Sequence, residues 1–420
     1  MSYYWKNYFN YILKGKKMTK RIKERNFSWK THWDIDYLRE NDLYTWFREI
    51  EKELESGWVM VNGRRMFMLG GYSYLGLNRD PRINQAAVDA VGRFGTGMSG
   101  SRFLAGTTEL HSALEKKIAA LHGKEDAMLL TSGYLTNIST IAALVGKNDY
   151  ILSDRLNHAS IVDGAIYSQA KLIRYKHNDP GSLEAALKSV PESSRILVIT
   201  DSVFSMSGEV VDLPGIVRLC KKYGALLMVD ECHSMFVLGK RGGGVLEYFD
   251  MDPDDVDIIM STLSKAIPAG GGYVTASREI IDYLKHESRG FIYSIALSSI
   301  MVSVALKALD IFESEREELV GRLHSNTEVF REALLARGVP LGQDSVTSIV
   351  PIIVGDAHLA AILARKCQES GLYIHAVFPP VVPPGQAILR ASITAEHTKE
   401  DLLMASEKIY RIFKEADLLH

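Results

Sequence analysis

Cysteine is scarce in this chain: Cys220, Cys232 and Cys367 are the only three in 420 residues. They are far apart, odd in number and form no C-x-x-C pair, which argues against a disulfide framework or zinc knuckle and fits a reducing cytoplasm. No apolar run approaches the roughly 18 residues that a membrane span needs. Charge of one sign is lacking too. A formal net charge of -2 gives no reason to expect nucleic acid or a strongly acidic partner. A nucleotide-binding loop is missing where it would most be looked for. In "STLSKAIPAGGGYV" the lysine, Lys265, precedes its glycines, the reverse of G-x-x-x-x-G-K-[ST]. There is no internal repeat and no low-complexity segment.

What remains is an ordinary globular composition, with 46% hydrophobic and 24% charged residues, in a chain long enough to bury a sizeable core. Its length suggests two or three units. The first residues, "MSYYWKNYFNYILKGKKMTKRIKER", mix aromatic and basic side chains without the cleavage site of a signal peptide. Such residues suit a membrane surface. With no clean amphipathic period, they read better as an arm that packs on a partner subunit or stays mobile.

From Ala127 onward, short β-rich runs alternate with helical patterns. "AMLLTS", "RILVIT", "ALLMVD" and "DVDIIMST" are continuously apolar, as strands buried on both faces of a mainly parallel sheet are. Alternation at this spacing implies βαβ units and an α/β fold. "GIVRLCKKYG" reads as a helix closed by Gly224. After Ser298 the pattern becomes a long helix followed by a smaller α+β arrangement. The expected division is an arm over 1–60, a large domain over 61–297 and a small C-terminal domain over 298–420.

In open α/β sheets, ligands sit beyond the carboxyl ends of the strands. Those ends here carry Ser132 and Gly133, Asp201 with Ser205, Asp230 with His233, and Thr262 with Lys265. Asp230 ends an apolar strand, so its carboxylate needs a cationic or protonated partner. Asp230, Cys232 and His233 are too adjacent in extended chain to converge on a metal. A protonated ring nitrogen is the better partner, and pyridoxal 5'-phosphate (PLP) has one. A PLP enzyme also needs a Schiff-base lysine, a group over the ring and a phosphate cup. Lys265 supplies the first and His158, in "RLNHAS", the second. "TSGYLTN" turns from strand to helix, so Ser132, Gly133 and Tyr134 line an anion site, with Thr262 and Ser264 adding hydroxyls.

The ordered segments "GGYSYLGL", "GTGMSGSRFLAGTTELHSALE", "TSGYLTN", "DRLNHASIVDG", "TDSVFSMSGEVVDLPGI", "MVDECHSMFVLGKRGGGV", "STLSKA", "GGYV", "FIYSIALS" and "LRASITAEHT" resemble the α-oxoamine synthase family of fold-type I PLP enzymes. Singly they are weak, but their order and spacing are specific. The resemblance runs from about Leu43 to Ala416 and implies a large domain around a seven-stranded-type, mainly parallel sheet. It implies that Lys265 bonds the cofactor, Asp230 pairs with its ring nitrogen and His158 stacks on the ring. His233 and Ser205 would serve its 3-oxygen, and Arg390 would hold the amino-acid carboxylate by its bidentate fork.

The activity implied is the decarboxylative condensation of glycine, alanine or serine with an acyl-CoA or acyl-carrier thioester, in a cytoplasmic homodimer. Three places depart from the family pattern. Tyr72 stands where the oxononanoate and ketobutyrate branches tend to carry asparagine, which tilts the reading to a serine palmitoyltransferase-like enzyme and to Tyr72 as a substrate residue. Ala296 removes a hydroxyl, and Ser298 with Ser299 replaces prolines. Met235-Phe236 replaces small residues and is expected to reshape the substrate side of the pocket. Two rivals stand beside this reading: an aminotransferase on the same fold, and a non-catalytic partner subunit. The presence of Lys265, Asp230, His233 and His158 argues against the second.

Overall fold

A computed structural model describes residues 34–419; the aromatic and basic N-terminal stretch lies outside the described residues. Three sheets organise the chain. The strands are β1 (Ile50–Glu53), β2 (Trp58–Val61), β3 (Arg64–Met68), β4 (Asp126–Leu130), β5 (Tyr150–Asp154), β6 (Lys171–Tyr175) and β7 (Ile196–Asp201). They continue with β8 (Leu226–Asp230), β9 (Ile258–Thr262), β10 (Gly272–Ala276), β11 (Ile349–Gly355), β12 (Leu372–Tyr373), β13 (His375–Val377) and β14 (Ala387–Ser392).

The central sheet has seven strands in the order β4-β10-β9-β8-β7-β5-β6. β10 runs antiparallel to both neighbours, and all other pairings are parallel. The apolar runs in the sequence thus belong to strands covered on both faces. Leu227 and Val229 join the core on one side, while Met228 joins the core on the other. Successive strand residues point to opposite faces, so a strand buried twice must be apolar throughout.

Helix ends follow the sequence signals. The helix Leu213–Tyr223 starts with Asp212 capping Gly215 N–H and ends at Gly224, left-handed at φ 63°. That conformation costs glycine no Cβ clash. The long helix Ser299–Leu335 is capped by Ser298, which accepts from Met301 N–H. Ser298, one of the residues standing in place of a proline, therefore does a helix-starting job. This helix joins the two cores: Val302 and Phe312 pack in the core of the large sheet, Phe330 and Leu334 in the core around β11 and β14.

β11, β14 and β13 form the C-terminal sheet, and β12 adds in parallel to β3 of the hairpin β2–β3. The line drawn between 60 and 61 falls inside that hairpin. By its hydrogen bonds this early segment is a partner of the C-terminal part of the chain. The strap that follows β3 is held the same way: Ser392 N–H donates to Leu69 O (2.7 Å) and Ala395 N–H to Tyr74 O (2.8 Å). These bonds carry Tyr72 and Tyr74 against the strand that bears Arg390. Among the described residues, no helix is long and apolar enough to cross a membrane.

Candidate active site

The carboxyl ends of β7, β8 and β9 are adjacent because those strands are neighbours in parallel register, with Asp201 paired across to Asp230. Asp230 is buried and satisfied on both oxygens. Asn137 Nδ2 donates to Oδ2 at 2.8 Å and Cys232 N–H to Oδ1 at 2.9 Å. These donors satisfy oxygens that would otherwise be buried without partners.

Lys265 follows β9 on the turn toward β10, and its Nζ lies 2.9 Å from His233 Nε2. The other nitrogen of that imidazole, Nδ1, meets Tyr74 Oη at 2.7 Å. His233 is fully enclosed and held well below its ordinary range, first by burial and then by the charges of Lys265 and Arg390. It is therefore a neutral ring at physiological pH. Burial raises the Tyr74 phenol, so it too is uncharged. Lys265, His233 and Tyr74 thus form a continuous chain of polar contacts from the nucleophilic amine into the core.

His158 caps the helix Ala159–Ser168 and is shifted below its usual range chiefly by burial, against the pull of Asp230. Asp201 holds the turn before it by accepting His158 N–H at 2.9 Å. The Asp201 carboxyl is pushed well up by burial and by the neighbouring Asp230. Two carboxyls at adjacent buried strand tips repel one another when both are charged.

Arg390 lies in the middle of β14 and is buried. Its Nε donates to Ser205 O and an Nη to Ser392 Oγ, both at 2.7 Å. The remaining Nη2 is buried without a protein partner. The guanidinium sits 5.0 Å from the centre of the Tyr72 ring, and Lys265 Nζ lies 5.9 Å from the same ring. The amine and the guanidinium therefore approach the same ring.

On the other side, the helix Gly133–Leu144 begins directly after β4, with Ser132 capping Leu135 N–H. A Cβ on Gly272 would lie 2.8 Å from Gly133 Cα and 2.9 Å from its nitrogen. Glycine at both positions is what lets strand and helix start approach so closely. Thr262 Oγ1 bonds Ser264 Oγ at 2.8 Å and donates to Gly271 O at 3.0 Å, beside that helix start. The Tyr134 ring faces His158 edge-on at 6.2 Å, and its hydroxyl bonds Asp163.

The residues named from the sequence are thus gathered around the sheet's carboxyl edge, with one adjustment. Phe236 does not reshape the pocket: it is buried in the core with its ring against Phe312, centroids 5.0 Å apart. The turn after His233 twists it inward at φ 70°. The Ser205 backbone carbonyl, besides, accepts from Arg390. Sequence reasoning missed Tyr74, Asn137, Ser160 and the holding role of Asp201. Asn137 carried a usable signal, since it falls four residues after Gly133 on one helix face.

A strand-tip carboxylate, a lysine and a glycine-walled helix start on this sheet define a fold-type I PLP transferase. The family model for aminotransferase class I and II matches residues 64–409. A serine palmitoyltransferase of Sphingobacterium spiritivorum is 39% identical over 402 residues, covering 96% of this chain and 98% of that protein. An 8-amino-7-oxononanoate synthase of Geobacter sulfurreducens is 42% identical over 387 residues, covering 92% and 98%. Among solved structures, a serine palmitoyltransferase from S. paucimobilis with bound PLP superposes at a TM-score of 0.88 and 29% identity, covering 91% of this chain and 96% of that one. An 8-amino-7-oxononanoate synthase from Francisella tularensis gives 0.72 at 29% identity, covering 84% and 99%. The chain belongs to the α-oxoamine synthase family, a group of PLP-dependent C-acyltransferases within aminotransferase class I and II.

The residues present fit the cofactor. The glycine-lined start of the helix Gly133–Leu144 can receive its phosphate on backbone N–H groups. Asp230 would face the ring nitrogen with a carboxyl oxygen, and Lys265 would supply the amine.

Proposed function

We propose that the chain condenses a small α-amino acid with an acyl thioester, with the choice of substrates made by serine palmitoyltransferases. A bond forms between the amino acid's α-carbon and the acyl carbonyl carbon. The thioester C–S bond and the α-carbon–carboxylate bond break, so a thiol and CO₂ leave and a 2-amino ketone remains. When bound, PLP supplies the electron sink for the α-carbon's electron pair. Lys265 moves the α-proton, Asp230 keeps the ring nitrogen protonated, and His158 offers a proton to a substrate oxygen.

The observation that carries the reading is Arg390. A buried guanidinium with one Nη left unpartnered, against the ring that the reactive lysine also approaches, is matched by a carboxylate that arrives with the substrate. Tyr72 against that guanidinium supports the serine palmitoyltransferase side, as do the TM-scores of 0.88 against 0.72.

A second copy of the chain fits the assembly. Phe103, Leu104, Tyr293 and Ile295 are exposed on two loops joined by the Ala296 N–H to Gly100 O bond, an apolar surface that a partner subunit would cover. The free cysteines suit a cytoplasmic setting.

The experiment is to supply the holoenzyme with single amino acids and acyl thioesters of graded length, and to measure CO₂ and ketone. The expected result is turnover of L-serine with a long-chain acyl thioester. The name 8-amino-7-oxononanoate disconnects into alanine and a seven-carbon diacid thioester. Turnover confined to that pair would overturn the serine palmitoyltransferase reading.

A further inference from the structure

A line of hydrogen bonds leads from Asp230 to His158, and each donor in it fixes the next. The Asp230 carboxylate can only accept, so Asn137 must turn Nδ2 toward it, at 2.8 Å. The same Nδ2 lies 2.9 Å from Ser160 Oγ and spends its second hydrogen there. Asn137 Oδ1 is left buried and without a partner, a cost the amide would shed by flipping if Asp230 did not hold it. Ser160 Oγ, already accepting, has one hydrogen of its own. It sits 2.7 Å from His158 Nδ1. Ser160 N–H also points at Nδ1, at 3.3 Å. With Ser160 N–H aimed at Nδ1 and the hydroxyl free to donate there, Nδ1 is placed as an acceptor, and a neutral imidazole then carries its proton on Nε2.

We propose that Ser160 and Asn137 are positioning residues that lock His158 as the Nε2–H imidazole, an uncharged donor to an anionic oxygen of the substrate, and that Asp230 sets this tautomer through them. One carboxylate thereby serves both the cofactor's ring nitrogen and the orientation of the imidazole above the site. Burial keeps His158 neutral, with Asp230 and Asp163 pulling against Lys265. The ring is further held by the Tyr134 edge at 6.2 Å and by Asp201 on its backbone.

The substrate part of this proposal rests on the condensation reading above; the tautomer part does not. The test is ¹⁵N NMR of histidine-labelled holoenzyme, with His158 assigned by comparison with His158→Gln, together with kinetics of Ser160→Ala and Ser160→Thr. Wild type is expected to show an unprotonated Nδ1 and a protonated Nε2. Ser160→Ala is expected to give mixed tautomers and to lower kcat about 10-fold, the rate equivalent of one hydrogen bond, with less effect on the amino acid KM. Ser160→Thr keeps the hydroxyl and should restore both. A protonated Nδ1 in the wild type overturns the proposal, and so does Ser160→Ala with the wild-type ¹⁵N pattern or the wild-type kcat. The wild-type spectrum decides even if the alanine variant fails to fold. Because that spectrum needs no substrate, an error in the choice of amino acid or acyl chain leaves it standing.

Discussion

Lys265 and Arg390 both approach one tyrosine ring, and each answers to a separate measurement. Replacing Lys265 with alanine should abolish the covalent adduct that borohydride traps in the wild type, read as a mass increment on the intact chain. A trapped adduct in Lys265→Ala would move the cofactor to another amine. Arg390→Lys keeps the charge but loses the fork, so the bond to an incoming carboxylate weakens. The amino-acid KM should rise by about 10- to 100-fold, the equivalent of one charged hydrogen bond. An unchanged KM would place the carboxylate elsewhere. These residues were legible because their side chains announce themselves: an amine, a carboxylate at an apolar strand end, an imidazole and a guanidinium in ordered motifs. Tyr74 was not, because its partner His233 lies 159 residues further along the chain. The bond from Arg390 to the Ser205 carbonyl was not legible either, since no pattern of residue types shows where a backbone oxygen points.

The strand β8 positions two acidic residues with different fates. Asp230 finds donors at the sheet edge. Glu231, next in the chain, is enclosed with Oε2 unpartnered, and burial pushes its carboxyl up to about 8. A folded state that keeps this proton is favoured fully below the ordinary carboxyl value of 4.5. That contribution is lost as pH rises through about 8, so wild-type stability should fall across this window. Glu231→Gln cannot titrate and should flatten the fall, checked by melting both proteins at about pH 5 and about pH 9. Equal slopes would mean the carboxyl is ionised in the fold. The pairing of β10 with the helix Gly133–Leu144 makes a second test. Gly272→Ala drives a methyl to within 3 Å of Gly133, which should cost about 1–3 kcal/mol and loosen the phosphate site. A raised PLP dissociation constant together with a lower Tm is the expected pair of results. The parallel strands themselves were readable, since burial on both faces forces unbroken apolar runs. The antiparallel β10 was not, as direction leaves no mark in a buried strand's composition.

At the scale of the molecule, the site sits where early and late parts of the chain meet. The hairpin β2–β3 pairs with β12, and Phe67 is fully buried among Leu334, Phe413 and Leu372 in the second core. Phe67→Ala should therefore destabilise the fold by about 3–5 kcal/mol although it touches no catalytic group, seen as a lower denaturant midpoint. An unaltered midpoint would make the hairpin an appendage. Chain order hid this arrangement: residues before 61 read as an arm, whereas Trp58 Nε1 donates to Asp401 and Leu38 and Leu43 pack in the C-terminal core.

The claim that the whole assembly condenses and decarboxylates is tested most directly by one reaction. Holoenzyme is given carboxyl-¹³C L-serine and a long-chain acyl-CoA, and the gas and products are followed by mass spectrometry. Decarboxylative condensation gives ¹³CO₂ and a long-chain 2-amino ketone in equal amounts. Release of a keto acid that retains the ¹³C, with the cofactor left in its amine form, would contradict it and make the chain an aminotransferase.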